Sequence, residues 1–192
     1  MRLIAITTPK VTDDDTLIIE RLLDKGVDTV HLRKPDSSID ECRELLAKLS
    51  AEHRARIVVH NYPELYEEFA LQGIHINRYV TTLPEDYRGL KSRSCHSLEE
   101  VARYKDECDY IFLSPIFDSI SKSGYRSGHS HAELSKASAE GIIDERVVAL
   151  GGVTFDKIAY LRELGFGGVA MLGAIYSIEA ADRIDDTMRT NL

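Results

Sequence analysis

Short apolar runs alternate along this chain with stretches whose apolar residues recur at helical spacing. Residues 3–7 read as a strand. Leu17, Ile18, Ile19, Leu22 and Leu23 then form an apolar helical stripe that stops at Gly26. Residues 28–33 are the second strand, and 40–51 a helix with Cys42, Leu45, Leu46 and Leu49 on one face. Residues 56–60 are the third strand, with Pro63 suited to the first turn of the next helix. Residues 73–77 are the fourth strand, 79–89 an irregular connection and 90–94 a weak fifth strand. Ser97 caps a helix that carries Glu99 and Glu100 in its positive first turn. Residues 110–113 are the sixth strand; 114–130, polar and rich in Ser and Gly, are a loop; alanines and Leu134 mark the next helix. Residues 146–150 are the seventh strand, and Thr154 caps a helix ending near Gly165. Residues 168–172 are the eighth strand, and a polar helix begins near Glu179.

Eight strands with about eight helical connections predict a parallel sheet. An open doubly wound sheet competes with a closed barrel, and eight units favour the barrel. The expected architecture is α/β, a compact single-domain (β/α)8 TIM barrel over residues 1–192, with no linker dividing it. The usual barrel has about 250 residues, so the loops here must be trimmed.

Composition narrows the function classes. Acidic residues outnumber basic ones, 32 to 24, and no basic run stands out, so no nucleic acid partner is expected. No apolar stretch is long enough to span a membrane. The N-terminus lacks the longer apolar run of a secretory signal. Cys42, Cys95 and Cys108 are odd in number and show no CxxC spacing, which argues against a disulfide framework or zinc ribbon. The expected location is a reducing cytoplasm.

In such a barrel, function lies on the loops after the strands. Gly151 and Gly152 end the seventh strand, and Gly173 ends the eighth. Glycines there let a phosphate approach the backbone and the free amides of a following helix; the plainer alternative is tight turns. His31 and Arg33 share one side of the second strand, where an anion would partner them, or a nearby carboxylate would. The hydroxyls and Lys122 of the long loop could fold over a phosphate, or remain a solvated surface.

Taken in order, these segments resemble the thiamine phosphate synthase/TenI family. His31-Leu32-Arg33-Lys34-Pro35 is similar to its Gln-Leu-Arg-Glu-Lys signature, and Ser94 to Glu100 to its Ser-x-His-Thr-x-x-Glu segment. Ser114-Pro115-Ile116-Phe117 with Ser119, Ser121 and Lys122 resembles its Gly-Pro-Val-Phe-x-Thr-x-Thr-Lys loop, and Ala149 to Val153 its Ala-Ile-Gly-Gly-Ile. The synthase joins a pyrimidine pyrophosphate to a thiazole phosphate with Mg2+; TenI proteins tautomerise a thiazole phosphate without metal. The resemblance implies a small phosphorylated ligand, a thiazole phosphate or thiamine phosphate. It implies that Arg33, helped by Lys34, holds pyrophosphate, that Ser119, Ser121 and Lys122 line the phosphates, and that Ser94 lies near the pyrimidine. Gly151, Gly152, Leu172 and Gly173 would contact the thiazole phosphate, and the family's frequent pairing leaves room for a homodimer.

The departures shift the expected chemistry. The two metal-binding Asp positions of the family fall on Asn61 and Val80, and the closing Lys of the second-strand motif on Pro35. Mg2+ is therefore expected only if synthase activity is retained. The TenI acid/base histidine falls on Pro115. His31 and His60, at neighbouring strand ends, are the alternative proton carriers, and Lys122 of the long loop is a further catalytic candidate. The expected activity is metal-independent, TenI-like proton transfer. The alternatives are true synthase activity and a non-catalytic phosphate-ligand binder or regulator. No resident metal is expected; a transition-metal site from His31, His60 and His75 is a minor alternative.

Overall fold

The computed structural model describes residues 1–117 and 128–184. Eight parallel strands close into one barrel in chain order: β1 (Arg2–Ile6), β2 (Thr29–Leu32), β3 (Ile57–Val59), β4 (Gly73–Ile76), β5 (Leu90–Cys95), β6 (Tyr110–Leu113), β7 (Val147–Leu150) and β8 (Gly168–Met171). The helices outside are α1 (Asp15–Asp24), α2 (Ile39–Lys48), α3 (Ala51–Arg54), α4 (Leu65–Glu68), α5 (Leu98–Tyr104), α6 (His131–Ala139), α7 (Ile158–Glu163) and α8 (Ile178–Asp182). The (β/α)8 barrel expected from the alternation is the observed fold.

Most strands bury both faces, because the barrel interior covers one and the helices the other. Outward residues such as Leu3, Val30, Ile57, Val59, Ile111 and Val147 pack in one core with the helices. Inward, Ile4, Ile6, Tyr110, Phe112, Val148 and Ala170 form a separate interior cluster. That filling is lopsided. The interior is apolar toward β1, β7 and β8, while His31, His75 and Ser92 are fully buried on β2, β4 and β5.

Capping follows the sequence signals. Ser38 forms a capping box with Glu41 ahead of α2, and Ser130 with Glu133 ahead of α6. Ser97 accepts from the Glu100 amide at the start of α5.

The fourth connection carries no helix and joins β4 to β5 irregularly, as expected over residues 79–89. Four details differ from expectation. The helix expected over 40–51 ends at Lys48, and α3 starts afresh behind the Ser50 cap. Pro63 lies in the turn before α4, a single turn beginning at Leu65. Thr154 precedes a 3-10 turn without capping it; its hydroxyl donates to Asp156 at 2.5 Å instead. β5, polar in sequence, is the longest strand, because its serines face partners inside the barrel.

Gly167 shows how tightly β8 enters. A β-carbon there would lie 1.8 Å from the Glu145 carbonyl oxygen, and the Gly167 amide already donates to the Val147 carbonyl at 2.9 Å. Backbone sits on both sides, so no flexible side chain can give way. Gly167→Ala is expected to destabilise the barrel by about 3 kcal/mol, seen as a lower urea midpoint at unchanged slope. A midpoint unchanged from wild type would mean that this corner relaxes freely.

Candidate functional site

The C-terminal ends of the strands form the barrel mouth. β7 and β8 are hydrogen-bonded neighbours, so Gly151 and Gly152 come beside Leu172 and Gly173. Gly151 has φ of 91° and Gly152 of 62°, conformations that favour glycine. A β-carbon at Gly151 would also press to 2.8 Å on Pro115. The Phe117 amide bonds the Gly151 carbonyl at 3.0 Å, and Lys157 Nζ donates to the Gly152 carbonyl at 2.9 Å. The two glycine-ended strands therefore meet as the sequence suggested.

On β2, His31 is fully buried and faces inward. Arg33 lies just beyond; its amide donates to Thr7 Oγ1 at 2.9 Å, which fixes the backbone there. Lys34 does not join it at the mouth. Its ammonium, 1% exposed, donates to Asp15 Oδ2 at 2.7 Å, to the Lys10 carbonyl at 2.9 Å and toward Thr8 Oγ1 at 3.5 Å. With its three protons engaged, Lys34 braces the strand-end loops, in place of the phosphate contact expected of it. Tyr176 donates to the other Asp15 oxygen at 2.5 Å. Ser119, Ser121 and Lys122 lie outside the described residues.

His60 directly follows β3, and its ring meets His31, with Nε2 2.7 Å from His31 Nδ1. The other nitrogen of His31 lies 2.5 Å from the Tyr110 hydroxyl. His75 bonds Ser92 Oγ through Nδ1 and Ser94 Oγ through Nε2, each at 2.8 Å. Burial holds all three imidazoles below their ordinary pKa. His75 adds to this for His31; His75, His31 and Arg33 add to it for His60. Burial, then Arg33 and Arg93, bring His75 to about 3. The rings are therefore neutral at physiological pH, each with one donor and one acceptor nitrogen.

One nitrogen from each of the three rings lies within 4.8 Å of the others, the spacing of a metal cluster. Their bonding favours a different arrangement. Both nitrogens of His31 and of His75 are engaged in hydrogen bonds. His60 and His75 stack at 4.0 Å with planes 18° apart, so their in-plane lone pairs run side by side instead of converging.

Mg2+ is a poorer match still. It favours carboxylates and phosphate oxygens. Asn61 Oδ1 is buried and has no hydrogen-bond partner among the described residues, which makes it one neutral oxygen where a carboxylate would stand. Val80 packs in the apolar core. Asp86, with Tyr66, Tyr87 and Arg88, lines a surface hollow of about 410 Å³ just ahead of β5, at the opposite end of the barrel. The described residues do not fit the ion.

The sequence reading missed Tyr110 and Ser92, and weighed His75 only as a metal ligand. Parity along the strands is the available signal. Ser92 and Ser94 share a face of β5, and Tyr110 shares the inward face of β6 with Phe112.

A family model described as thiamine monophosphate synthase matches residues 3–175. The chain is 31% identical over 166 residues to a thiamine-phosphate synthase of Serratia proteamaculans, covering 82% of this chain and 78% of that relative. Its fold matches the crystal structure of thiamine phosphate pyrophosphorylase from Bacteroides thetaiotaomicron with a TM-score of 0.87 and 36% identity, over 100% of this chain and 97% of the other. A thiamine phosphate pyrophosphorylase structure from Pyrococcus furiosus shares the fold at TM-score 0.76 and 19% identity, over 99% and 94% of the two chains.

Proposed function

Because the chain belongs to the thiamine monophosphate synthase family, we propose that it binds a thiazole phosphate at the barrel mouth and moves a proton on it without a metal. The observation that carries this reading is the His31–His60 pair, neutral, buried and bonded at 2.7 Å directly under the mouth. A neutral imidazole can accept a proton from a bound ligand and return it. Burial opposes the resulting cation. A bound phosphate would supply the compensating negative charge, raising the His60 pKa only while ligand is present. Gly151, Gly152, Leu172 and Gly173 would receive the phosphate, and Arg33 would offer a cation across the mouth. Asn61 would offer its unpartnered oxygen to the ligand. The poor fit to Mg2+ supports the same reading.

The test is solvent exchange of a thiazole-phosphate ring proton, followed by proton NMR in D2O with a chelator present. Wild type is expected to catalyse exchange, and His60→Gln to slow it about a hundredfold. Unchanged turnover after replacing both His31 and His60 by Gln would remove them from the reaction.

The names of the relatives favour a second reading, synthesis of thiamine phosphate. A thiochrome fluorescence assay with pyrimidine pyrophosphate, thiazole phosphate and Mg2+ decides it: substantial product would select the synthase and overturn the carboxylate argument. Tight thiazole-phosphate binding with neither reaction would select a non-catalytic binder.

A further inference from the structure

The polar side chains inside the barrel form two hydrogen-bonded runs, which come together where Tyr110 lies beside Ser92. His60 Nε2 bonds His31 Nδ1 at 2.7 Å, and His31 Nε2 bonds the Tyr110 hydroxyl at 2.5 Å. Tyr110 and Ser92 are register partners on β6 and β5, and both are buried inside the barrel. Ser92 Oγ bonds His75 Nδ1 and His75 Nε2 bonds Ser94 Oγ, each at 2.8 Å. Together they trace a path that descends from the mouth at His60, crosses the interior at Tyr110 and climbs back to Ser94 near the end of β5. Because His75 stacks on His60 at 4.0 Å, its two ends lie close together.

We infer that His60 Nδ1 and Ser94 Oγ are the two ends of a single proton relay, joined through the barrel core by His31, Tyr110, Ser92 and His75. Its use in turnover rests on the proton-transfer reading above; its wiring does not.

A chain of neutral groups, each with one proton to give, has two consistent directions. In the first, His60 Nε2–H donates to His31, His31 Nε2–H to Tyr110, Tyr110 to Ser92, Ser92 to His75 Nδ1, and His75 Nε2–H to Ser94. All three histidines then carry hydrogen on Nε2, and His60 turns a basic Nδ1 to the mouth. In the second direction every bond is reversed, and all three carry hydrogen on Nδ1. A mixture of tautomers would place two donors or two acceptors face to face in a buried site, which is unfavourable.

Passage of one proton converts the first state into the second. A ligand C–H bond breaks and its proton goes to His60 Nδ1. Each group in turn passes on its own proton, and Ser94 Oγ–H delivers the last one to a second ligand atom. The relay's net charge is the same before and after, and the ligand has been tautomerised. The next passage runs in reverse, or water at the mouth takes the proton from His60 Nδ1 and supplies one to Ser94. Only His60 and Ser94 touch ligand; His31, Tyr110, Ser92 and His75 are positioning residues. The relay explains why bulky polar groups occupy an interior that apolar side chains could have filled.

The test uses the free, full-length protein labelled with 15N-histidine, with tautomers read by long-range proton–nitrogen NMR. His31, His60 and His75 are expected to share one tautomer, or one ratio of the two. Opposite tautomers at His31 and His75 would overturn the relay. Tyr110→Phe removes the central hydroxyl and keeps the ring. It is expected to shift the tautomer ratio of His75, which makes no hydrogen bond to Tyr110. It should also slow metal-free exchange about a hundredfold with little change in KM. Ser92→Ala makes the same cut if Tyr110→Phe does not fold, and is read at His31, which makes no hydrogen bond to Ser92. His75 unmoved in Tyr110→Phe, or His31 unmoved in Ser92→Ala, would also overturn the relay. Shared tautomers in a wild-type protein that exchanges no thiazole proton would leave the wiring standing and reject the proton-transfer reading alone.

Discussion

Lowering the pH from 6.5 to 5 is expected to remove roughly 5 kcal/mol of folding stability through His31, His60 and His75 together. In the unfolded chain each of these histidines takes up a proton near pH 6.5. In the barrel, burial holds His31 and His60 well below that range and brings His75 to about 3. Across this window the unfolded state therefore binds more protons than the folded one, and stability falls as the pH falls. The folded-state pKa values are depressed, so the contribution is complete above about pH 6.5 and declines through the acid range. For a protein of ordinary stability, roughly 5–15 kcal/mol, this is a large fraction of the total. Urea unfolding at several pH values reads the slope directly. The variant with all three histidines replaced by Gln should lose most of the dependence. An acid slope unchanged by that replacement would show that the three rings are not what the pH acts on.

Asp15→Asn is expected to destabilise the protein by about 3–5 kcal/mol, because it leaves the Lys34 ammonium buried without its countercharge. Asp15 and Lys34 are 0% and 1% exposed, and their contact is 2.7 Å. Desolvation lowers the Lys34 pKa, and the Asp15 hydrogen bond and charge act against it. The same carboxylate accepts from the Thr12 amide and from Tyr176, which lies in the loop that follows Gly173. One side chain thus ties together the loops after β1, β2 and β8. For a chain of this size the melting temperature should fall by roughly 6–20 °C. Adding Lys34→Met should recover much of the loss, since it removes the stranded charge and keeps the length of the side chain. A melting temperature within a degree of wild type in Asp15→Asn would show that solvent enters this cluster freely. Phosphate binding should weaken in the single variant, because Gly173 would lose its anchorage through Tyr176.

Local patterning along the chain determined most of the architecture. Apolar runs bounded by glycines and caps such as Ser38 and Ser97 carry their own secondary structure, and strict alternation leaves few topologies. The glycine-ended strands β7 and β8 and the His31 to Pro35 segment were legible for the same reason: each is a contiguous stretch whose residue types suit its position. Strand parity put His31 and Arg33 on the same face.

Barrel closure decided the rest. Lys34 and Asp15 are far apart in sequence, and only the packing of α1 beside β2 turns a supposed phosphate ligand into a buried brace. Ser92 looked like a polar residue in a weak strand until the β4–β5 and β5–β6 registers set it against His75 and Tyr110. Whether a buried histidine is a lone titrating group, a metal ligand or a link in a chain depends on distances of a few ångströms between strands. Sequence patterning encodes which face a side chain takes, since that is a property of the local backbone. Which partner it meets across the barrel depends on register and closure, which arise only when all eight strands pack together.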